Sequence, residues 1–181
     1  MKKKFRLVFL AVFTFFILGA SYLLLKGVLF PMKYSDYVIE YSNEYDLDPM
    51  LVMAVMKAES NFNPNIVSHK AANGLMQITG DTGQWIAEKL DVTDFEKEML
   101  KDPETNIRFG CWYLRYLLDE SESEEIAIAA YNAGIGNVQK WLEDPRYSKN
   151  GDKLDYIPFK ETDKYVKKVE AYKNIYKTIY D

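Results

Sequence analysis

This 181-residue chain has almost none of the residues that build disulfides, zinc sites and charge-relay triads: one cysteine, Cys111, and one histidine, His69. A single cysteine excludes an internal disulfide, and no Cys/His cluster exists to hold zinc. A Ser-His-Asp triad would have to use His69, and no G-x-S-x-G elbow accompanies it. A solvated polar residue in a turn is the plainer reading of that histidine. No glycine-rich phosphate loop is present, and neither an internal repeat nor a low-complexity segment is visible. The remainder is globular in character, 48% hydrophobic and 28% charged, which argues against large-scale disorder. The length suits one domain with a sizeable core and a short appendage.

Charge is missing from one long run. "MKKKFR" carries four positive charges, and Leu7 to Leu25 then continues for 19 residues without a charged side chain. Such a helix crosses the ~30 Å hydrocarbon core and exceeds the ~7–15 residue core of a signal peptide. Gly19, Ala20 and Ser21 imitate a signal-peptidase site, so a signal peptide is the alternative. Three leucines follow them, which suits an uncleaved anchor better. The expected organisation is a cytoplasmic N-terminus over 1–6, a transmembrane anchor (or signal peptide) over 7–25, a linker over 26–33 and a globular domain over 34–181. The positive-inside rule keeps Lys2, Lys3, Lys4 and Arg6 in the cytoplasm. This implies a single-pass protein of the cell membrane with its domain on the extracytoplasmic side. No cysteine lies near the segment for lipid attachment.

Without residues 1–26 the remaining 155 carry 18 basic and 27 acidic groups, a formal net charge of −9. An acidic domain argues against nucleic acid as a partner and is not drawn to anionic lipid. A neutral or mixed-charge substrate is more natural.

From Tyr34 onward the pattern reads as nearly all helix. Ser35 is placed to cap a first helix to about Asp46. Asp48-Pro49 is a cap followed by proline at the first helical position, and it opens "PMLVMAVMKAES" with Leu51, Ala54, Val55 and Ala58 on the buried side. Asp81 opens a helix through Trp85 to Leu90, and Thr93 a shorter one. Asp102-Pro103 repeats the cap-plus-proline signal before a long helix holding Arg108, Trp112 and Leu117. "SEEIAIAAYNAGIG" is a helix stopped by Gly134 and Gly136, and Trp141 lies on the next short one. A polar loop runs to about Pro158, and a last helix starts near Glu161. On that helix Tyr165, Tyr172, Tyr176 and Tyr180 form a stripe, and packing is the plainer reading for the last three. Trp112 and Trp141 are also assigned mainly to the core, Lys164, Lys167 and Lys168 to a solvated face, and "ESESEE" to a linker and helix N-terminus.

Glu59 stands apart. It closes an apolar helix, and a turn region rich in Asn, Ser and Gly follows it. Carbonyl dipoles at a helix C-terminus raise a carboxyl pKa, as does burial among apolar side chains. Both keep a proton on the acid near neutral pH, as a general acid for a glycosidic oxygen requires. The surrounding Asn, Ser, Gln and Tyr residues are hydroxyl and amide partners of the kind that read sugars.

"ESNFNPNIVS", "GLMQIT", "AYNAG" and "IPFKETDKYV", in this order, resemble the lytic transglycosylase domain of the soluble lytic transglycosylase (SLT) type, related to goose-type lysozyme. The resemblance spans about Tyr34 to the C-terminus. It implies a mainly α, lysozyme-like fold with a small β element near "GLMQ", preceded here by the N-terminal transmembrane helix. It also implies cleavage of the β-1,4 bond between N-acetylmuramic acid and N-acetylglucosamine in bacterial peptidoglycan, without metal or cofactor. Carried onto this sequence, Glu59 matches the single catalytic acid/base and Ser60 follows it as in the motif. Ser68, nine residues after Glu59, matches a serine near the cleaved sugar. Met76 and Gln77 match one lining of the saccharide groove, Tyr131 and Asn132 its other wall. Tyr165 matches a tyrosine that approaches the carboxylate. The sequence departs from the pattern at Gly80, where proline is frequent, and at Asp163, where arginine is common.

Ordinary glycosidases need a second carboxylate about 5–9.5 Å from the first. Within the matched motifs only Glu161 and Asp163 offer one, expected on a remote helix. The family mechanism needs none: the acid protonates the glycosidic oxygen, the muramyl N-acetyl group supports the cationic centre, and the same carboxylate deprotonates the muramyl 6-hydroxyl to close a 1,6-anhydro ring. The alternatives are a goose-type lysozyme-like hydrolase of the same bond and a non-catalytic peptidoglycan-binding protein. The implied partners are peptidoglycan glycan strands and, through the first helix, the membrane.

Overall fold

The structure, a computed structural model, describes residues 2–180. Met1 and Asp181, the outer ends of the expected N-terminal and globular segments, lie outside the described residues. The chain separates into two compact units, Met1–Lys33 and Tyr34–Asp181.

The first unit is one helix, α1 (Lys2–Leu24), extended by a wider π-type turn over Leu25–Leu29. The stretch Lys4–Leu29 is long and apolar enough to cross a membrane by length and composition. Many of its large apolar side chains, among them Phe9, Phe15 and Leu18, are exposed. Thr14 donates its hydroxyl to the Leu10 carbonyl at 2.9 Å, so this polar side chain is satisfied within its own helix.

The second unit is mainly helical, with one two-stranded sheet. Its order is α2 (Ser35–Glu44), α3 (Pro49–Ser60), β1 (Ala72–Asn73), β2 (Ile78–Thr79), α4 (Gly80–Lys89), α5 (Pro103–Asp119), α6 (Glu124–Ala133), α7 (Ile135–Leu142) and α8 (Lys160–Tyr180). Helix α3 is the central one, with Leu51 through Met56 all buried and Ala58, at its edge, half-buried. Asp48 caps it by accepting the Met50 N–H at 2.9 Å, and Asn61 ends it in the left-handed conformation, which asparagine tolerates better than most. Helix α8 packs along α3, while α6 joins α5, α7 and α8. Lys173 draws Asp48 and Glu124 together at 3.4 and 2.6 Å, linking α8 to the start of α3 and to α6. Tyr176 is fully buried and Trp141 nearly so, whereas Tyr172, Tyr180 and Trp112 are half-exposed.

Several boundaries differ from the sequence reading. Tyr34 takes a left-handed conformation and stands before α2 with no side-chain cap, so Ser35 is already helical. Thr79, not Asp81, caps α4, accepting the Thr82 N–H at 3.2 Å. The helix expected from Thr93 is a short 3-10 helix at Lys97–Lys101, because Pro103 pushes Asp102 into extended backbone and leaves no room for a longer one. Gly134, at φ 84°, ends α6 and turns the chain directly into α7, so Gly136 lies inside a helix instead of stopping one.

The small sheet carries the segment facing α3. Ala72 pairs with Thr79 and Asn73 with Ile78, antiparallel. Asn106 of α5 braces it: it accepts the Met76 N–H at 2.7 Å and donates to the Asn73 and Leu100 carbonyls at 2.9 and 2.7 Å. Gly74 sits against that amide at φ 79°, where a Cβ would collide with Asn106. Gly110 leaves the space that Met76 fills.

Candidate active site

Glu59 occupies the last turn of α3 and is half-buried. It opens into a cavity of about 170 Å³ whose walls include Ser68, Gln77, Tyr131, Asn132 and Glu161. Five of the eight residues singled out in the sequence therefore meet there.

Four of these wall residues are held by bonds of their own. Ser68 Oγ accepts the Ala72 N–H at 3.1 Å. Gln77 donates its amide to the Gly74 and Ile66 carbonyls at 2.8 and 3.2 Å. Tyr131 donates its hydroxyl to the Met76 carbonyl at 2.9 Å, and Asn132 accepts from Thr162 at 2.8 Å. Of the seven non-glycine residues at positive φ among those described, Asn61, Phe62, Ala71 and Gln77 all lie between Glu59 and Thr79. Such backbone costs of order 1–3 kcal/mol per residue and clusters at functional sites.

Ser60 and Met76 do not line the cavity. Both are buried. Ser60 donates to the Leu75 carbonyl at 2.8 Å and accepts the Phe62 N–H at 3.1 Å, fastening the end of α3 to the sheet segment. Met76 packs into α5 and acts through its backbone, which receives Tyr131. Tyr165 is buried beside Glu59, its hydroxyl completing no hydrogen bond of standard geometry.

Burial pushes the Glu59 carboxyl up to about 7, and the charge of Glu161 adds to the rise, while Tyr165, Lys168 and Lys70 oppose it. The same burial, with the Glu59 charge nearby, raises the Tyr165 and Tyr131 phenols well above their ordinary value, so both stay protonated. An acid of this kind holds and delivers a proton near neutral pH.

His69, Lys70, Thr79 and Glu161 also border the cavity and were not foreseen there. His69 is exposed, as expected of a turn residue. His69 and Lys70 follow Ser68 directly, and Thr79 is two residues past Gln77, which is the only signal the sequence held for them. Glu161 corrects the sequence reading, which set it on a remote helix. Because α8 runs antiparallel along α3 and meets its C-terminal end, the first turn of α8 arrives beside Glu59. Among the described residues no group of three or more His, Cys, Asp or Glu side chains is placed to hold a metal ion.

A family model for the transglycosylase SLT domain matches residues 36–154. The soluble lytic murein transglycosylase of Salmonella typhimurium is 36% identical over 156 residues, covering 82% of this chain and 23% of that protein. The membrane-bound lytic murein transglycosylase C of Sodalis glossinidius is 33% identical over 123 residues, covering 59% of this chain and 32% of that protein. Among solved structures, the 70 kDa soluble lytic transglycosylase of Escherichia coli superposes with a TM-score of 0.72 at 33% identity, over 82% of this chain and 25% of that one. An inactive mutant of the lytic transglycosylase Slt from Pseudomonas aeruginosa gives 0.71 at 30% identity, over 82% and 24%. The chain thus spans about a quarter to a third of the length of these relatives. With the helical fold, the small sheet and the family match in agreement over the second unit, this chain belongs to the transglycosylase SLT domain family.

Proposed function

We propose that this chain is a membrane-anchored peptidoglycan lytic transglycosylase in which Glu59 is first the acid and then the base. The observation that carries the reading is the place of Glu59, at the wall of a cavity it shares with Ser68, Gln77, Tyr131 and Asn132, where burial raises its carboxyl above the ordinary carboxylate range. The protonated carboxyl donates to the oxygen between N-acetylmuramic acid and N-acetylglucosamine as that bond breaks. The muramyl N-acetyl group supports the cationic carbon. The resulting carboxylate takes the proton of the muramyl 6-hydroxyl, whose oxygen closes the 1,6-anhydro ring. This hydroxyl is tethered to the reacting sugar and attacks at high effective concentration. Ser68, Gln77, Tyr131 and Asn132 contact the sugar, and Tyr165 stands buried beside the carboxylate. Residues 7–25 anchor the chain, 26–33 link, and 34–181 form the catalytic domain outside the membrane.

A second reading has one specific observation in its favour. Glu161 shares the cavity with Glu59, and a second carboxylate could direct water at the sugar carbon, as in a lysozyme-like hydrolase. Digestion of peptidoglycan in heavy-oxygen water separates the two. The transglycosylase yields 1,6-anhydromuramyl ends, lighter by one water and unlabelled at the cleaved carbon. Labelled reducing muramyl ends would replace this reading with hydrolysis.

A further inference from the structure

A second recess, of about 360 Å³, meets the Glu59 cavity along Lys70 and Thr79, which line both. Its walls carry three exposed lysines, Lys70, Lys97 and Lys101, and the carboxylates of Asp81 and Glu98. The ion pairs among the described residues all lie elsewhere, so no carboxylate pairs with these lysines. Residues 27–181 carry a formal net charge of −9. Three unpaired cations around one hollow stand out against that background.

The lysines are placed by the fold. The short 3-10 helix Lys97–Lys101 carries two of them, one at each end. Leu100, fully buried, and the Asn106 bond to the Leu100 carbonyl at 2.7 Å fasten that turn to the core. Lys97 reaches back over the start of α4, where a Cβ on Gly80 would meet its Cδ and Cε at 2.7 Å. Glycine is what lets the lysine stem lie there. Proline is frequent at this position in the family, and its ring would push the Lys97 stem out of the recess. The departure from the motif at Gly80 thus has a physical consequence particular to this chain.

The chemistry of the recess selects its occupant. A backbone of N-acetylated hexoses is neutral, so negative charge on a glycan strand comes only from groups that branch from it. A lysine ammonium is a compact point charge with three donors and receives a carboxylate or a phosphate alike. Asp81 and Glu98 accept hydrogen bonds and repel a run of negative charge. The recess therefore suits one anionic group flanked by N–H or O–H donors. Lys70 and Thr79 stand between the two hollows, so a branch reaches the lysines while its sugar stays at Glu59.

We propose that this recess is an anion subsite, in which Lys70, Lys97 and Lys101 receive a carboxylate or phosphate branching from the glycan strand engaged at Glu59. This rests on the glycan-cleaving reading of the cavity. The test is calorimetric binding to the full chain in detergent, carrying Glu59→Gln to prevent turnover. The probes are hexasaccharides of alternating N-acetylglucosamine and N-acetylmuramic acid in three forms. One has its lactyl carboxyls capped as neutral amides, one bears peptide arms ending in carboxylates, and one is the capped form phosphorylated at a muramyl 6-hydroxyl. An exposed charge contact is worth up to about fivefold, so an anionic form should bind about five- to tenfold more tightly than the neutral one. Which form does so identifies the source of the anion. Lys97→Ala and Lys101→Ala should each reduce that preference by about two- to threefold, and added salt should erode it. Gly80→Pro should act like Lys97→Ala without unfolding the domain. Proline suits the first helical position, Thr79 before it is already extended at φ −75° and ψ 157°, and the clash is with the flexible end of a side chain. All three variants should bind the neutral strand as the parent does. Anionic forms bound no better than the neutral one, or a preference that survives all three changes, overturns the subsite. Binding of the neutral strand reports on the Glu59 cavity separately, and a chain that binds none of the three forms overturns both readings.

Discussion

Lys168 of α8 donates from Nζ to the Ala58 carbonyl at 2.8 Å, pinning the last turn of α3 from a helix 110 residues further along the chain. The residue beside that carbonyl is Glu59, whose carboxyl Lys168 also pulls down against the larger effect of burial. A general acid works while protonated, so cleavage should fall as pH rises through about 7. Lys168→Met removes a cation that favours the ionised form, so this limb should move to higher pH. Lys168 is exposed and screened, and the shift should shrink with added salt. A pH–rate profile of kcat/KM for both proteins checks this; a shift to lower pH would contradict it.

Glu59→Gln should keep the fold and lower turnover by roughly 10²–10⁴-fold, the usual contribution of general acid catalysis. The same variant carries a stability signature. The folded pKa of Glu59 lies above its ordinary value of 4.5, so folding favours the protonated acid. Stability contributed by that group is complete below about 4.5 and is lost as pH rises through about 7. Glutamine cannot ionise, so the variant should gain in melting temperature over the parent at pH 8 and not at pH 4. Thermal unfolding at the two pH values checks it.

Asn106→Leu should be among the most destabilising single changes in the domain. It strands the Met76 N–H and the Asn73 and Leu100 carbonyls at a residue only 1% exposed. Unpaired buried groups cost about 1–3 kcal/mol each, and the losses here share one site, so the expected total is about 3–5 kcal/mol. Urea unfolding measures it. A change below about 1 kcal/mol would mean that water replaces the amide.

The chain should stay with the membrane fraction after a high-salt wash, because a long apolar helix is held by burial and not by screened charge. A mature N-terminus near Ser21, on protein free in the medium, would show that the segment is removed.

What the sequence by itself determined are features whose causes lie within a few residues. Asp48-Pro49 and Asp102-Pro103 open helices where expected because a cap bonds only to the next turn. The charge-free run at the N-terminus forms one helix because its composition allows little else. Glu59 was legible as a carboxylate closing an apolar helix. Tertiary structure decided the rest, because the causes lie far apart in the chain. Thr79 displaces Asp81 as the cap of α4 because the small sheet delivers it to that helix end. Ser60 and Met76 sit inside their motifs and still turn inward, since the Leu75 carbonyl, Asn106 and Gly110 claim them. Glu161 reaches the cavity only because α8 packs back along α3. The raised pKa of Glu59 follows from that same packing: a carboxyl is desolvated by whatever folds over it, and here that is chain from both ends of the domain.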